Sequence, residues 1–201
     1  MRNPARALIL CSTARHRADL LTRLGLPFET ARPDFDEVGL EHLPPGEMAA
    51  AYAHGKALSL ASRYADRGAL LIAADQVPAL GDMVLRKAES LEACVEQLTL
   101  LAGRTHTLHS AIAVVEAATG RVELGVTSVD LTMRPLGTAQ LQRYVETDHP
   151  VGSAGGYTFE GLGVALFSKV TGQDDSAIVG LPLLLLVELL GRFGVDPLGA
   201  P

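Results

Sequence analysis

The alternation of apolar and polar stretches in the first part of the chain predicts strands followed by helices. An apolar run at residues 7–11 precedes a polar stretch and then leucines at helical spacing within 20–24, which predicts a strand, a loop and a helix. Residues 28–31 predict a short second strand, and the Ala-rich segment 48–63, with apolar positions at helical intervals, predicts a second helix. This order of elements favours the α/β class.

The middle of the chain predicts a buried strand, a helix and a long hairpin. Residues 69–74 form a continuous apolar run that ends in Asp75, as expected for a buried strand that delivers a carboxylate to the edge of a sheet. The segment 90–102 begins with a serine whose hydroxyl can cap a helix, and a glycine follows its end. The segments 105–116 and 121–133, rich in Val, Thr and Ile, predict a hairpin and therefore a mixed sheet.

Three further elements are expected before the end of the chain. Residues 138–147 predict a helix, 164–170 a strand, and 181–190 a deeply packed helix with Pro182 in its first turn. No repeat, linker or low-complexity segment interrupts them. Because a chain of roughly 200 residues can bury about 70% of its unfolded surface, we expect one domain spanning residues 1–201.

The composition indicates a buried core and gives no sign of a membrane or secreted protein. Of the 201 residues, 48% are hydrophobic and 20% are charged, interleaved along the chain. The apolar segment 181–190 contains Glu188 and is shorter than the roughly 20 residues of a membrane-spanning helix. The run at 7–11 ends too early for a signal peptide. Cys11 and Cys94 form no CxxC pair, so we expect reduced cysteines in a cytoplasmic protein.

The charge balance argues against nucleic-acid polymer as the partner. The formal net charge is −6, and the five Phe and four Tyr are the only residues of the aromatic class Phe, Trp and Tyr. Binding to nucleic acid usually needs a basic face and aromatic stacking platforms. The chain also has no GxGxxG motif after a strand and no complete Walker A loop. A phosphate site must therefore be a local cluster of cations.

Three cations and one serine could form such a site for a polyphosphate. Ser12 and Arg17 bracket the first strand-to-helix junction, where backbone N–H groups and the helix dipole favour an anion. Arg17 adds a fork of donors, and Lys56 and Lys87 are point charges for the same ligand. Taken singly, each of these cations is more often a solvated surface residue.

Two carboxylates are candidates for metal binding or proton transfer. Glu37 and Asp75 could hold a hard, oxygen-seeking cation such as Mg²⁺, and Asp75 could instead be the base that activates water. An Asp75 that only caps neighbouring amides and a Glu37 that is only a loop acid are the competing interpretations. His106 and His109 are expected to be structural, because three positions apart on a strand they point to opposite faces.

The order and spacing of these residues resemble the Maf family of nucleotide pyrophosphatases over nearly the whole chain, from about Leu8 to Gly194. The first block resembles the opening strand, phosphate loop and helix of that family, and later blocks resemble its acidic segment, lysine helix, catalytic strand and closing motifs. The blocks are LILCSTARHRADLLTRLGLPFET, PDFDE, HGKALSLA, LIAADQVPALGDMVLRKA, GRTHTLHSAIAVV, GGYTFEGLG and AIVGLPL.

The resemblance implies hydrolysis of a nucleoside triphosphate to the monophosphate and pyrophosphate with Mg²⁺ or Mn²⁺. It implies a mixed α/β fold with an elongated central sheet flanked by helices, like that of inosine triphosphatases, in a two-lobed single domain that forms homodimers. It places the catalytic carboxylate at Asp75. The phosphate- and metal-handling positions of the family fall on Ser12, Arg17, Glu37, Lys56 and Lys87.

Within the resemblance, three positions are associated with substrate choice. They are His16, Gln76 and Glu160, and the Gln and Glu pair is similar to the branch that acts on 7-methyl-GTP, whereas members acting on dTTP and UTP carry Arg, Thr and Gln. His16 departs from the tyrosine common in the methyl-GTP branch. Further departures from the family pattern are Ala14, Arg15 and Ala88, which replace a serine and two prolines.

A dTTP or UTP pyrophosphatase and a nucleotide-binding regulator of cell division are the alternative hypotheses. Substrate ranking separates the first from a 7-methyl-GTP enzyme. Slow turnover combined with tight nucleotide binding would favour the second. The complete set of charged candidates argues against a protein that has lost catalysis.

Overall fold

A seven-stranded mixed sheet runs through the molecule, and the computed structural model describes the chain over residues 6–199. The order along the sheet is β2-β1-β3-β5-β6-β7, with β4 paired to the far end of β3. Strand β1 is parallel to β2 and β3, and the remaining pairs are antiparallel. The strands are β1 Leu8–Leu10, β2 Phe28–Thr30, β3 Leu70–Leu80, β4 Met83–Val84, β5 Thr105–Glu116, β6 Val122–Met133 and β7 Phe167–Thr171.

Helices cover both faces of this sheet, which confirms the predicted α/β architecture. The α-helices are α1 Arg15–Thr22, α2 Pro45–Leu58, α3 Ala61–Tyr64, α4 Leu91–Leu101, α5 Thr138–Asp148, α6 Ser176–Val179 and α7 Leu183–Gly191. Short 3₁₀ turns lie at Ala65–Arg67 and Leu162–Leu166. None of the helices within residues 6–199 is both long and apolar enough to cross a membrane.

The first lobe is a sandwich of helices around β1, β2, the first half of β3 and the last half of β5. One face carries α2, whose Ala49, Ala53 and Ala57 are fully buried against the sheet. The other face carries α1 and α7, packed on alternate residues of the same strands such as Leu70 and Ile72. Small alanines let α2 approach the sheet closely, which brings the polar residues of this helix near β3.

The second lobe is built on the opposite half of the sheet. Helices α4 and α5 pack together over the first half of β5 and over β6, around Leu98, Leu131 and Leu141, all of which are buried. Ser90 caps α4 as expected, because its Oγ accepts a hydrogen bond of 3.1 Å from the Ala93 amide. The predicted hairpin of β5 and β6 is confirmed and joins the two lobes.

Strand β3 is longer than the sequence indicates. The apolar run predicts a strand that ends at Asp75, but pairing with β5 continues from Leu70 to Ala79 and places Asp75 opposite Ala111 in the middle of β3. The apolar run stops at Asp75 because the environment changes there and not because the strand ends. Strand β1 pairs with β3 only as far as Ile72, so the next part of that edge of β3 is uncovered.

Two other predicted boundaries are also wrong. The helix expected at 48–63 is divided after Leu58, because the Ser59 hydroxyl donates to the Lys56 carbonyl at 2.8 Å and competes with the helical pattern. The strand expected at 164–170 begins only at Phe167, because the preceding residues form a 3₁₀ turn. Arg134, which lies outside this turn, donates from its Nη1 to the Ala165 carbonyl of the turn.

Candidate active site

A cavity of about 890 Å³ lies between the two lobes at the uncovered edge of β3. Strand β1 covers this edge through Ile72, and β4 covers it again from Ala79. Between these pairings β3 has no strand partner on that side within residues 6–199. Neighbouring residues that point to opposite faces of β3, Asp75 and Gln76, can therefore both line the cavity. Its size is within the usual range for a small-molecule site.

Lys56 joins the two candidate carboxylates at the centre of this cavity. Its Nζ lies 2.5 Å from Asp75 Oδ1 and 2.5 Å from Glu37 Oε1. Lys56 is 8% exposed and Asp75 is 6% exposed, so both charged groups are buried, whereas Glu37 lies on an exposed loop. The structure thus brings together residues that are distant along the chain.

Gly55 explains how the Glu37 loop reaches Lys56. A Cβ at Gly55 would lie 2.2 Å from Cε2 of Phe35, so only a glycine lets this ring pack against α2 at that point. The ring of Phe35 also packs edge to face on Tyr52 of the same helix. The acidic segment and the lysine helix noted in the sequence are therefore one packing unit that sets the position of Glu37.

The two carboxylates have pKa values shifted in opposite directions. Burial raises the pKa of Asp75 above its ordinary value, although the Lys56 charge and hydrogen bond act against it. Burial acts on Glu37 in the same sense, but the hydrogen bond and charge of Lys56, with smaller contributions from Lys87 and Arg17, hold the pKa of Glu37 below its ordinary value. When the pKa values of two neighbouring carboxyls shift in opposite directions, the two groups suit different roles. The raised pKa suits Asp75 to accept a proton, and the lowered pKa suits Glu37 to remain charged as a ligand.

Helix α1 and its preceding loop form one wall of the cavity. Arg17 lines the cavity, and its Nε donates to the Gly180 carbonyl at 3.1 Å, which fixes the guanidinium on the turn after α6. Ser12 lies below the surface, where its Oγ accepts from the Ala14 amide at 3.1 Å and shapes the loop. Arg15, which replaces a proline of the family pattern, is exposed and pairs with Asp19 at 3.7 Å on the outside of α1.

The loop after β4 supplies the opposite wall. Lys87 lines the cavity with its Nζ 4.0 Å from Glu37 Oε2, and it is bridged through its backbone to Ala154 of the second lobe. Ala88, another departure from the family pattern, packs into the second-lobe core. Arg86 also lines the cavity, although it was not among the sequence candidates and stands next to Lys87.

Gln76 points to the face of β3 opposite to that of Asp75, and hydrogen bonds hold its side chain in one orientation. The two hydrogens of its Nε2 are shared among three acceptors, the Ala177 carbonyl at 2.7 Å, the Ser110 hydroxyl at 2.9 Å and the Ile178 carbonyl at 3.2 Å. Because backbone carbonyls can only accept, the amide nitrogen must face them. Gln76 also lines the cavity, and the other end of its amide, Oε1, remains an acceptor. No sequence signal pointed to Ser110.

His16 and Glu160 lie near each other at the same end of the cavity. Both line it, and Glu160 acts to raise the pKa of His16, although burial, followed by the Arg17 charge, lowers that pKa overall. The imidazole is consequently neutral at pH 7. Eight of the nine sequence candidates thus line one cavity, and the ninth, Ser12, lies behind its wall.

The second lobe contributes aromatic residues that the sequence analysis did not select. Tyr157 and Phe159 line the cavity from the loop that carries Glu160. Tyr157 Oη is hydrogen bonded to His106 Nε2 at 2.7 Å, and burial lowers the pKa of His106 to about 4. His106 is therefore a neutral buried residue. His109 points to the other face of β5 and is hydrogen bonded to Ser128. Both histidines are thus held by hydrogen bonds to other side chains, as expected for structural residues.

The carboxylates have the chemistry that a hard divalent cation requires. Oxygens of Glu37 and Asp75 converge on the same Lys56 nitrogen, so both point to one region of the cavity. Mg²⁺ is usually held by one or two carboxylates together with phosphate oxygens of the substrate. Within residues 6–199 no group of three or more His, Cys, Asp or Glu side chains could hold a metal. The donor set fits a cation that binds together with a phosphate ligand.

The family model and the relatives that match this chain agree with one another. A family model described as Maf-like protein matches residues 7–193. The chain is 38% identical to the 7-methyl-GTP pyrophosphatase of Syntrophotalea carbinolica, over 96% of this chain and 97% of that protein. It is also 38% identical to a 7-methyl-GTP pyrophosphatase of Pseudomonas putida, over 94% of this chain and 97% of that protein. Among solved structures it is similar to the Staphylococcus aureus Ham1 protein, with a TM-score of 0.45, 16% identity and coverage of 65% of this chain and 73% of that chain.

These matches extend over both lobes and include the residues around the cavity. The family model begins one residue before β1 and ends just after α7. The resemblance noted in the sequence motifs is therefore confirmed over the whole sheet. The chain belongs to the Maf family.

Proposed function

We propose that this protein is a metal-dependent nucleoside-triphosphate pyrophosphatase that cleaves 7-methyl-GTP between its α- and β-phosphates. The observation that carries the proposal is the buried Asp75, paired with Lys56 at 2.5 Å in a cavity that Arg17 and Lys87 also line. The names of the curated relatives support the substrate. One domain performs this reaction, with phosphates and base bound at different ends of the same cavity.

The reaction consists of an attack by water on the α-phosphorus and departure of pyrophosphate. Asp75 accepts a proton from the attacking water, since its raised pKa makes it a better acceptor than an ordinary aspartate. Lys56, Lys87 and Arg17 neutralise the phosphate oxygens and the charge that develops on the leaving pyrophosphate. This division of roles refines the expectation from the sequence, which named Asp75 for both proton transfer and metal binding.

Glu37 is the residue that would hold the divalent cation, with Asp75 next to it and phosphate oxygens completing the ligand set. The lowered pKa of Glu37 keeps it ionised, as a metal ligand must be. When bound, Mg²⁺ or Mn²⁺ supplies charge neutralisation to the triphosphate. The Lys56 ammonium is already within 2.5 Å of both carboxylates, so it keeps them close together without the cation.

The base is recognised at the end of the cavity formed by His16, Gln76 and Glu160. Gln76 Oε1 and the Glu160 carboxylate are both acceptors, so they suit the N1–H and amino donors of guanine. The positive charge of a 7-methylated guanine further favours a carboxylate, and the neutral His16 can stack on the ring. A thymine or uracil carbonyl opposite Glu160 would place two acceptors against each other, which would weaken the binding of these bases.

The test is pyrophosphate release by the purified protein with Mg²⁺ or Mn²⁺ across 7-methyl-GTP, GTP, dTTP, UTP and CTP. We expect 7-methyl-GTP to have the highest kcat/KM, and a chelator to abolish release. Preference for dTTP or UTP would retain the reaction and overturn the substrate. Tight nucleotide binding without release from any nucleotide would favour the regulator instead.

Substrate preference should weaken when the two acceptors are exchanged for their counterparts in pyrimidine-specific members. In the double variant Glu160→Gln with Gln76→Thr, we expect the ratio of kcat/KM for 7-methyl-GTP to that for dTTP to fall by about 10- to 200-fold. The physical reason is that the variant loses the carboxylate and the fixed amide oxygen. Competition assays with both nucleotides measure this ratio directly, and an unchanged ranking would refute the assignment of these residues.

Activity should fall on acidification at a pH above the usual range of an aspartate. The active form has Asp75 ionised, so activity is present above the pKa of Asp75 and is lost as pH falls through it. Burial raises this pKa, against the opposing effects of Lys56 and Arg17. A profile of kcat/KM against pH at saturating metal checks the expectation. An acidic limb at or below about 3.9, the ordinary aspartate value, would contradict it.

The proposal includes a homodimer that works in the cytoplasm, where nucleotides are available. The family resemblance supports the dimer, and β7 is the last strand of the sheet on its side, with an outer edge that has no strand partner within residues 6–199. Such edges are commonly covered by another element or chain. Light scattering during size-exclusion chromatography distinguishes a dimer from a monomer.

A further inference from the structure

One carboxylate on α5 holds both ends of the loop that carries Glu160. Asp148 Oδ2 accepts a hydrogen bond of 2.6 Å from the Thr158 hydroxyl, two residues before Glu160. Asp148 Oδ1 accepts one of 3.3 Å from the Leu162 amide, two residues after it. The loop is therefore closed at its base by a residue that does not line the cavity.

Tyr144, one helical turn before Asp148, completes this clamp. Its hydroxyl donates to Asp148 Oδ2 at 3.0 Å and accepts from the Thr158 amide at 3.1 Å. Tyr144 is 4% exposed, so its ring is fixed in the core of the second lobe. The clamp, defined as Tyr144 and Asp148, thus connects the loop to the rigid helix α5.

Glycines on the loop show how closely the clamp approaches the backbone. A Cβ at Gly161 would lie 2.7 Å from Asp148 Oδ1, and one at Gly163 would lie 2.2 Å from the Thr158 carbonyl oxygen. A side chain at Gly161 would displace the Asp148 carboxylate, and one at Gly163 would collide with the backbone at the start of the loop. The clamp therefore requires glycines at 161 and 163, on either side of Leu162, which gives the EGLG motif a physical explanation.

We propose that Asp148 and Tyr144 are positioning residues that fix Glu160 for recognition of the base. The inference rests on the proposed function, because it assigns a role to Glu160 in that cavity. Glu160 is exposed and its side chain has no hydrogen bond within the described part of the chain. Its placement depends on the loop, and a recognition group must be held to within about 0.5 Å to discriminate between ligands.

The carboxylate form of Asp148 is needed because it accepts on both sides. Burial acts to raise the pKa of Asp148, but hydrogen bonds from Thr158, Tyr144 and the Leu162 amide lower it overall, so the group is ionised at neutral pH. An asparagine has one oxygen and one NH₂ group. With its oxygen toward the Leu162 amide, its nitrogen could only donate to the hydroxyls, so the variant loses the two hydrogen bonds that the carboxylate accepts from Thr158 and Tyr144 and the strength that the negative charge gives them.

The test compares Asp148→Asn with the wild type on 7-methyl-GTP and dTTP. We expect the KM for 7-methyl-GTP to rise about tenfold with kcat reduced less than twofold, while kcat/KM for dTTP changes little. This pattern follows because the variant loosens Glu160 and leaves Asp75 and Lys56 in place. Equal losses on both nucleotides would indicate a general structural role and would overturn the inference.

A double-mutant cycle with Glu160→Gln shows whether Asp148 acts through Glu160. In the Glu160→Gln background, Asp148→Asn should no longer change the ratio of kcat/KM between the two nucleotides, because coupled residues are not additive. Additive effects on that ratio would overturn the inference. Tyr144→Phe should change it in the same direction as Asp148→Asn but less.

A variant that fails to fold, or a wrong substrate assignment, can be distinguished from a failure of this inference. If Asp148→Asn does not fold, Thr158→Val, which removes only the 2.6 Å bond to Asp148, replaces it in the same cycle. If the wild type prefers a nucleotide other than 7-methyl-GTP, the proposed substrate fails. The cycle is then measured between that preferred nucleotide and a second base, and coupling between Asp148 and Glu160 still decides the role of the clamp.

Discussion

Asp75→Asn is expected to lower kcat for pyrophosphate release by about 10²- to 10⁴-fold, the usual contribution of a general base. The variant keeps the size of the side chain but cannot accept the proton of the attacking water. Nucleotide binding should be largely retained, because Lys56, Lys87 and Arg17 remain. Steady-state kinetics with 7-methyl-GTP and a binding titration with a non-hydrolysable analogue measure the two effects separately.

The same variant should be at least as stable as the wild type near neutral pH. The pKa of Asp75 is raised in the folded state, so its contribution to stability is fully present below the unfolded pKa and is lost as pH rises through the folded pKa. Asparagine has no such loss, and Lys56 keeps its ion pair with Glu37. Thermal unfolding at pH 7 checks this.

The matched control for Asp75→Asn is Asp82→Asn, at an exposed position that also lines the cavity. It removes one negative charge from the same region and should leave kcat within about twofold of the wild type, as is usual for an exposed substitution without a specific partner. Near-normal turnover in Asp75→Asn, or equal losses in both variants, would remove Asp75 from the mechanism.

Lys56→Met is expected to lower kcat/KM by about 10²- to 10³-fold, comparable to the loss of one preorganised electrostatic group. The methionine fills the space of the lysine stem but supplies no charge to the phosphates. Lys56 also lowers the pKa of Asp75, so its removal should move the acidic limb of the pH profile to higher pH. Measuring kcat/KM from pH 5 to 9 distinguishes the lower maximal activity of the variant from the shift of its acidic limb.

The Lys56→Met variant should also be less stable than the wild type, because it lacks the same charge. Removing one partner of a buried ion pair typically costs about 3–5 kcal/mol, and here it leaves the Asp75 and Glu37 carboxylates close together. The destabilisation should decrease as pH falls, because Asp75 then takes up a proton and the repulsion disappears. Urea unfolding at two pH values measures this difference.

Lys87→Met is the contrast for Lys56→Met. Lys87 is exposed and its Nζ is 4.0 Å from Glu37, and its charge is not among the causes of the Asp75 shift. We expect a higher KM in Lys87→Met with the acidic limb unmoved. If Lys56→Met also leaves that limb unmoved, the coupling of Lys56 to Asp75 is wrong.

The sequence by itself determined the family, the class of fold and the candidate residues. Hydrophobic periodicity was sufficient for the hairpin of β5 and β6 and for the Ser90-capped helix, because these are local patterns with strong propensities. The motifs placed every candidate except Ser12 on the cavity wall, since each motif is a short segment whose spacing is preserved by its own element.

Only the tertiary structure decided how these segments meet. The sequence ended a strand at Asp75, whereas pairing with β5 continues through it, and the departure of β1 after Ile72 opens the edge that becomes the cavity. No local pattern in the sequence shows where this pairing stops, because the paired residues, such as Leu8 and Leu70, are 62 positions apart along the chain.

The fixed orientation of Gln76 by Ser110 and the clamp of Tyr144 and Asp148 on the Glu160 loop are of the same kind. The bond from Gln76 to Ser110 and the bond from Thr158 to Asp148 join residues at least 10 positions apart, and common polar residue types with no distinctive local spacing make them. Sequence periodicity reports which face of an element is buried, but partners across elements depend on how the faces pack. The physical reason is that polar pairing is set by three-dimensional proximity, and the sequence alone determined only the chemistry available to it.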